Sequence, residues 1–398
     1  MKNIYLDHAA TTPLDPRVLA KMQPYFSDVF ANPSSFHSPG LKAKEAVDAA
    51  RKSIANQLNA HADEILFCSG GTESDNLAIF GIVRANKGKG KHVITSSIEH
   101  HAVLETLKHL EKVGVIDLTI LPVDRTGLVD VKEVEAALRP DTILVSIMYA
   151  NNEIGTIEPI ADIGRVLLKW RKTNGSALPY FHSDACQAAG ALDLDVEKLH
   201  VDLLTINGSK IYGPKGVGLL FVRRSVSLEP IVYGGGQERG MRSGTENVPG
   251  IIGLAAALEL AQAEKEKENV RLTKLRDKLI EGLLKIPKTR LNGHATERLP
   301  NNVNVSFMDI EGEAAVLYLD AQGIYCSTGS ACASSTLDPS HVILAIGVSY
   351  EAAHGSLRFT LGRSTKSTDI DYVLKTIPGI VEKLRHMSPV NLDMKYFA

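Results

Sequence analysis

The chain has 398 residues, of which 44% are hydrophobic and 23% charged, and its formal net charge is -2 at pH 7. That length exceeds one small core and suits a large domain with a smaller one. The near-neutral balance argues against nucleic acid or an anionic membrane as a partner, and no apolar run is long enough to span a bilayer.

The first residues, Met1 to Asp7, contain no apolar stretch of the secretory kind, so a cytoplasmic protein is expected. Short apolar runs predict strands over 65–68, 92–95, 118–121, 142–147, 180–183 and 203–206. Helical patterns over 74–86, 102–113 and 160–173 lie between them. Continuous apolar strands alternating with helices predict an α/β domain whose parallel sheet is covered on both faces. Ligands then sit beyond the carboxyl ends of the strands, so the polar residues following each run are the first candidates.

From 248 to 286 the pattern is one long helix, heavily charged over 264–268. Strands over 303–307 and 356–360 and helices over 313–321 and 369–385 predict a smaller α+β lobe. The expected division is a large domain over 13–255 and a smaller one made of 1–12 and 256–398. No internal repeat is visible, which argues against a solenoid.

Three polar segments follow apolar runs. In Phe67-Cys68-Ser69-Gly70-Gly71-Thr72-Glu73 a strand ends, two glycines turn and a helix begins. Helix-terminal N–H groups with a threonine hydroxyl can cradle a phosphate, although a plain capped helix reads the same way. In His182-Ser183-Asp184-Ala185-Cys186-Gln187, Asp184 stands at a strand end, where a carboxylate can pair with a protonated pyridine nitrogen or simply cap the next turn. In Asn207-Gly208-Ser209-Lys210, the lysine follows another run, and a desolvated lysine can form a Schiff base. Lys215 competes for that role but lies in a Pro-Lys-Gly turn expected to face solvent. Together Thr72, Asp184 and Lys210 point to a pyridoxal-type site more strongly than any one of them.

The four cysteines are Cys68, Cys186, Cys326 and Cys332. They form no CxxC pair and have no matching histidine spacing, so no structural metal site is expected. Cys332 lies in Gly329-Ser330-Ala331-Cys332-Ala333-Ser334-Ser335, a run of small and hydroxyl side chains that reads as a loop, expected over about 325–338. Cys68, Cys186 and Cys326 read as small buried residues.

At this point the residues carry a family likeness. Tyr5-Leu6-Asp7-His8-Ala9-Ala10-Thr11-Thr12-Pro13, Asn32-Pro33-Ser34-Ser35, Gly71-Thr72-Glu73-Ser74 and Glu99-His100 belong to it. So do Asn151-Asn152-Glu153-Ile154-Gly155, Asp184 with Gln187, Lys210 with Tyr212 to Gly216, Arg239 to Thr245, Gly329 to Cys332, and Arg358 to Arg363. Along nearly its whole length the chain resembles the cysteine desulfurases of the NifS/IscS type, which are fold-type I pyridoxal 5'-phosphate enzymes. The resemblance implies a mostly parallel seven-stranded sheet, a homodimer, L-cysteine as substrate and an iron–sulfur scaffold or other sulfur-acceptor protein as partner. It implies Lys210 as the Schiff-base lysine, Asp184 at the pyridine nitrogen, and His100 stacked on the ring and able to relay protons. Asn152 and Gln187 would bond the ring hydroxyl oxygen. Gly71, Thr72, Asn207 and Ser209 would hold the phosphate, with Thr245 reaching in from a second subunit. Arg358, with Asn152, would take the substrate carboxylate. Cys332 would accept the sulfur as a persulfide, leaving L-alanine, in the manner of relatives that feed iron–sulfur assembly or thiolation of transfer RNA.

One departure stands out. Many relatives carry Ser-Gly-His-Lys before the lysine, where this chain has Asn207-Gly208-Ser209-Lys210. Both replacements can still hydrogen-bond a phosphate. An aminotransferase has no need of the Cys332 segment, and a bare scaffold has no need of Lys210, Asp184 and Arg358. A selenocysteine lyase would share every motif.

Overall fold

The computed structural model describes residues 3–328 and 338–397. In chain order the strands are β1 (Ile4–Tyr5), β2 (Ile65–Cys68), β3 (His92–Ser96), β4 (Asp117–Leu121), β5 (Thr142–Ser146), β6 (Tyr180–Asp184) and β7 (Leu203–Asn207), then β8 (Gly218–Val222), β9 (Thr289–Leu291), β10 (Asn302–Phe307), β11 (Ile324–Tyr325), β12 (Ser327–Thr328) and β13 (Ser356–Thr360). Strands β2 to β8 form a seven-stranded sheet in the order β2-β8-β7-β6-β5-β3-β4. Strand β8 runs antiparallel to both its neighbours, and the remaining pairings are parallel. The two reversals cancel, so every strand of the sheet except β8 ends on the same edge. The α/β reading with a mostly parallel seven-stranded sheet therefore holds.

The apolar runs are continuous because both faces of the sheet are packed. Ile65 and Phe67 of β2 enter a core shared with Val47 and Ile54 of the Ser38–Leu58 helix and with Leu254 and Leu258. Leu66 and Cys68 point the other way, into a core with Leu77 and Ile82 of the Gly71–Ala85 helix and Val103 and Leu107 of the His101–Lys112 helix. That alternation is the two-residue period of a strand. The helix expected over 74–86 begins at Gly71, so the glycine turn and Thr72 form its first turn.

The long helix runs Val248–Leu283, which at 1.5 Å per residue spans about 54 Å. Its first half buries Ile251, Leu254 and Leu258 in the main core. Its last turns bury Leu275, Leu279 and Leu283 in a separate core, with Val305 and Phe307 of β10, Leu357 and Phe359 of β13 and Ile377 of the Ser367–Met387 helix. The charged middle is tied down by ion pairs, Glu264 with Arg17 and Arg363, and Glu268 with Arg271. The second core covers a four-stranded antiparallel sheet in the order β12-β13-β10-β9. Strand β1 pairs with β11, and Asp7 bridges to Thr360, so the start of the chain is sewn into this later lobe. Among the described residues no helix is long and apolar enough to cross a membrane.

Leu279 has no exposed surface and sits where the helix meets the second core. Leu279→Ala is expected to cost about 2–5 kcal/mol, from lost transfer energy and the cavity left behind. A lowered urea midpoint would show it; an unchanged midpoint would mean that the two lobes do not depend on this contact.

Candidate active site

The common edge of the sheet gathers the candidates. Cys68 ends β2 and leads into Gly71 and Thr72; β3 leads to His100, β5 to Asn152 and β7 to Lys210, while Asp184 is the last residue of β6. All the described candidates except Ser209 and Thr245 line one cleft, which holds about 840 Å³ of empty space open to solvent. Ala9, Ala10, Asp75, Met148, Ala150 and Cys186 complete its wall.

Lys210 enters the cleft from a short 3-10 turn, Gly208–Lys210, whose cap is Asn207. Its Nζ donates to the carbonyls of Ala9 at 2.8 Å and Ala10 at 2.6 Å. The same segment receives Gln187 Nε2 at Ala9 O, 3.0 Å away. Thr12 closes it down, with Oγ1 donating to Ser209 O at 2.9 Å and accepting from Tyr212 N at 2.8 Å. Lys215 is exposed and donates to Thr12 O at 3.1 Å, as its turn suggested.

Asp184 accepts a hydrogen bond from Cys186 N at 2.9 Å, so it does cap the following turn while also facing the cleft. Beneath it lies a buried polar group. His182 Nδ1 is 2.9 Å from Ser146 Oγ and its Nε2 is 3.1 Å from Thr205 Oγ1. Burial pulls the His182 imidazole down to about 4. Asp75 Oδ1 is buried without a hydrogen-bond partner, 3.6 Å from His182 Nε2. Burial first, and then the charge of Asp184, push the Asp75 carboxyl well above the usual carboxylate range. Burial thus disfavours the charged form of both groups beside Asp184.

The Gly71–Ala85 helix aims its N-terminus at the cleft. Its first N–H groups have no intrahelical acceptor, and the helix dipole favours an anion there. A side chain on residue 71 would bring its Cβ within 2.8 Å of Cys186 Sγ, so only glycine lets the backbone come this close. His100 caps the His101–Lys112 helix, its Nδ1 accepting from Ala102 N at 3.1 Å. That bond assigns the ring proton to Nε2. Burial lowers the His100 pKa; Asp184 opposes that shift and Lys210 adds to it.

Arg358 reaches in from β13. Nη1 donates to Asn152 O at 3.1 Å and Nη2 to Asp7 Oδ1 at 2.9 Å, while Nε is buried without a partner. Taken together, these residues fit a flat phosphorylated pyridine cofactor. The glycine-lined helix end suits a phosphate, and a lysine and a buried aspartate stand at successive strand ends. The mapped candidates differ in one respect. Ser209 is turned to Asn207, its N and Oγ lying 3.1 and 3.2 Å from Asn207 Oδ1, and only Asn207 lines the cleft. Thr245 is exposed on the loop before the long helix. Cys332 lies outside the described residues.

Sequence reasoning assigned no role to Asp7, Asp75 or the Ala9 and Ala10 carbonyls. A backbone carbonyl leaves no side-chain signature. Asp75 follows the phosphate-type turn by one helical turn, and that spacing was the available clue.

The other three thiols are buried, and burial pushes Cys68 up to about 12 and raises Cys186 and Cys326 strongly. In native Cys332→Ala protein at about pH 8, an aromatic disulfide reagent should therefore label none of them until denaturant is added. Labelling before unfolding would contradict this burial.

The sequence profile of the aminotransferase class-V family matches residues 4–373. A protein of Methanosarcina thermophila named cysteine desulfurase IscS is 56% identical over 389 residues, covering 98% of this chain and 94% of its own length. One of the same name from Dictyoglomus turgidum is 50% identical over 395 residues, covering 99% and 98%. A solved structure of a NifS-like protein superposes with a TM-score of 0.89 at 38% identity, covering 96% of this chain and 100% of that one. Another, SspA in complex with cysteine, gives a TM-score of 0.78 at 38% identity over 90% of this chain and 99% of its own. The chain belongs to the aminotransferase class-V family and, within it, to the cysteine desulfurases.

Proposed function

We propose that this chain uses pyridoxal 5'-phosphate to take sulfur from L-cysteine, releases L-alanine and holds the sulfur as a persulfide on Cys332. The observation that carries the reading is the convergence of Lys210, Asp184, His100 and Arg358 on one cleft at the carboxyl edge of the sheet. Lys210 would hold the cofactor, with Asp184 at the pyridine nitrogen, His100 against the ring, Asn152 and Gln187 near the ring oxygen, and Gly71, Thr72 and Asn207 around the phosphate. When bound, that cofactor supplies an electron sink for negative charge at the substrate Cα.

Each side chain then has a task. Arg358 takes the carboxylate of L-cysteine and so orients Cα toward Lys210. Lys210 Nζ removes the α-proton and later returns a proton to carbon. His100, neutral because of its burial, has an Nε2–H to donate. The Cys332 thiolate attacks the substrate sulfur: the S–S bond forms, the Cβ–S bond breaks, and the electron pair stays on the carbon fragment that becomes L-alanine. The persulfide then passes to an iron–sulfur scaffold or another acceptor protein. We further propose a cytoplasmic homodimer in which Thr245 of a second copy, with Ser209, completes the phosphate site; the exposure of Thr245 supports this. Residues 13–255 would form the cofactor domain, and 1–12 with 256–398 the smaller one; two separate cores support two domains, although Leu258 and Ala261 of the long helix still pack in the first core.

The test is L-alanine formation from L-cysteine with a thiol reductant present. Cys332→Ala should retain the cofactor's visible absorption yet yield little L-alanine; equal yield from wild type and variant would remove Cys332 as the acceptor. Lys210→Ala should lose on the order of 100-fold or more in turnover, because the proton-transfer group is gone. Turnover near that of the wild type would assign the proton to another base.

A further inference from the structure

The pairing of Arg358 with Asp7 is an odd arrangement for a site that must bind a carboxylate. Arg358 is 3% exposed and Asp7 21% exposed. The guanidinium has already given Nη2 to Asp7 Oδ1 at 2.9 Å and Nη1 to Asn152 O at 3.1 Å. Its Nε, buried and without a partner, is left over, and the side chain forms part of the cleft wall. Asp7 is not loosely placed. Its backbone bridges to Thr360, two residues from Arg358 on β13, and the next residues are pinned by His8 N to Thr360 O at 3.3 Å and Ala9 N to Thr360 Oγ1 at 2.8 Å. Tyr5 Oη donates to both Asp7 O and Thr11 O at 3.0 Å. The carboxylate therefore arrives on a rigid segment, the same one whose Ala9 and Ala10 carbonyls receive Lys210.

We infer that Asp7 is a positioning and specificity-determining residue of the carboxylate site. It fixes the plane of the Arg358 guanidinium, takes up part of its charge, and disfavours any ligand bearing a second carboxylate at that point. The inference rests on Arg358 being the group that receives the substrate carboxylate. Arginine has five N–H donors in a fixed fork, so the Nη N–H groups not spent on Asp7 and Asn152 remain for a ligand. A ligand carboxylate bound there lies close to Asp7, and two like charges at that range repel each other. The arrangement trades affinity for orientation: a small monocarboxylate amino acid is accepted with modest strength, and a dicarboxylic one meets Asp7. If Asp7 served only to neutralise a buried arginine, the pair would stabilise the fold without setting ligand affinity.

The experiment uses the cofactor-loaded enzyme and L-alanine, followed by the change in visible absorption and by the ligand-induced shift in melting temperature. In Asp7→Asn the amide oxygen still accepts from Nη2, but the charge is gone. L-alanine should bind about three- to tenfold more tightly than to wild type. Its stabilising shift should be larger too, even if the variant melts lower without ligand. L-aspartate should gain by a greater factor than L-alanine. Asp7→Glu, which keeps the charge, should stay close to wild type. Affinity for L-alanine that is unchanged or weaker in Asp7→Asn, or equally tightened in Asp7→Glu, would overturn the inference and leave a purely structural pair. Arg358→Ala separates the two layers: undiminished L-alanine binding there would overturn the carboxylate site itself, and the role of Asp7 with it.

Discussion

A parallel sheet packed on both faces admits polar side chains in its interior only where they are buried against one another, as His182 is with Ser146 and Thr205, so a ligand must be met at the edge where the strands end. That constraint organises this protein. Each strand of the main sheet except β8 delivers its carboxyl end to one rim, and the residues that follow it are placed there. The reversal at β8 matters for the same reason. Set between β2 and β7, it lets β2 run parallel to the rest, which puts the Gly71 turn beside Asn207 and Lys210 rather than at the far end of the sheet. Function here depends on direction of strands before it depends on any one side chain.

Much of this was legible in the sequence because burial writes itself as apolar runs and because Asp184, Lys210 and Thr72 each stand just after one. The Ser38–Leu58 helix was not legible. Its buried stripe, Ala43, Val47, Ala50, Ile54 and Leu58, leans on alanines among charged residues, which is a weak periodic signal. Strand β8 was missed as well, since a Gly-Pro-Lys-Gly turn ahead of Leu219 says nothing about direction. The long helix was read correctly as one element, but not that its two ends serve two cores. Side-chain motifs also concealed the part played by the chain start. The Asp7 to Thr12 run was recognisable as a pattern, yet most of its contacts in the cleft are made by backbone carbonyls.

The charges around the cleft follow one logic. Burial raises the carboxyls nearest Asp184 and so disfavours their charged form. Asp75 is raised well above its usual range, and burial pushes Glu99, which accepts from Ser96 Oγ and Met148 N, up to about 8. Imidazoles are kept neutral by the same desolvation, His182 most strongly. Desolvation thus weights the ionisable groups packed around Asp184 toward their uncharged forms, so that fewer of them act on a bound cofactor and substrate.

Glu153 extends that logic to the second lobe. It sits next to Asn152 in the turn after β5, wholly buried, and burial pushes its carboxyl up to about 7 against the pull of Arg358. Its Oε2 accepts from Ser340 Oγ, and that same hydroxyl accepts from Val342 N at 3.1 Å and Ile343 N at 3.3 Å to cap the His341–Ala345 helix. Its backbone carbonyl takes Nδ2 of Asn302 and Asn304, each at 3.1 Å, from β10. One residue therefore joins the turn carrying Asn152, strand β10 of the smaller sheet and the helix that follows Ser340. A carboxyl balanced near neutrality at such a junction can bond as donor or acceptor. The two lobes consequently share a buried polar junction one residue from Asn152, built on the Glu153 carboxyl and its backbone carbonyl.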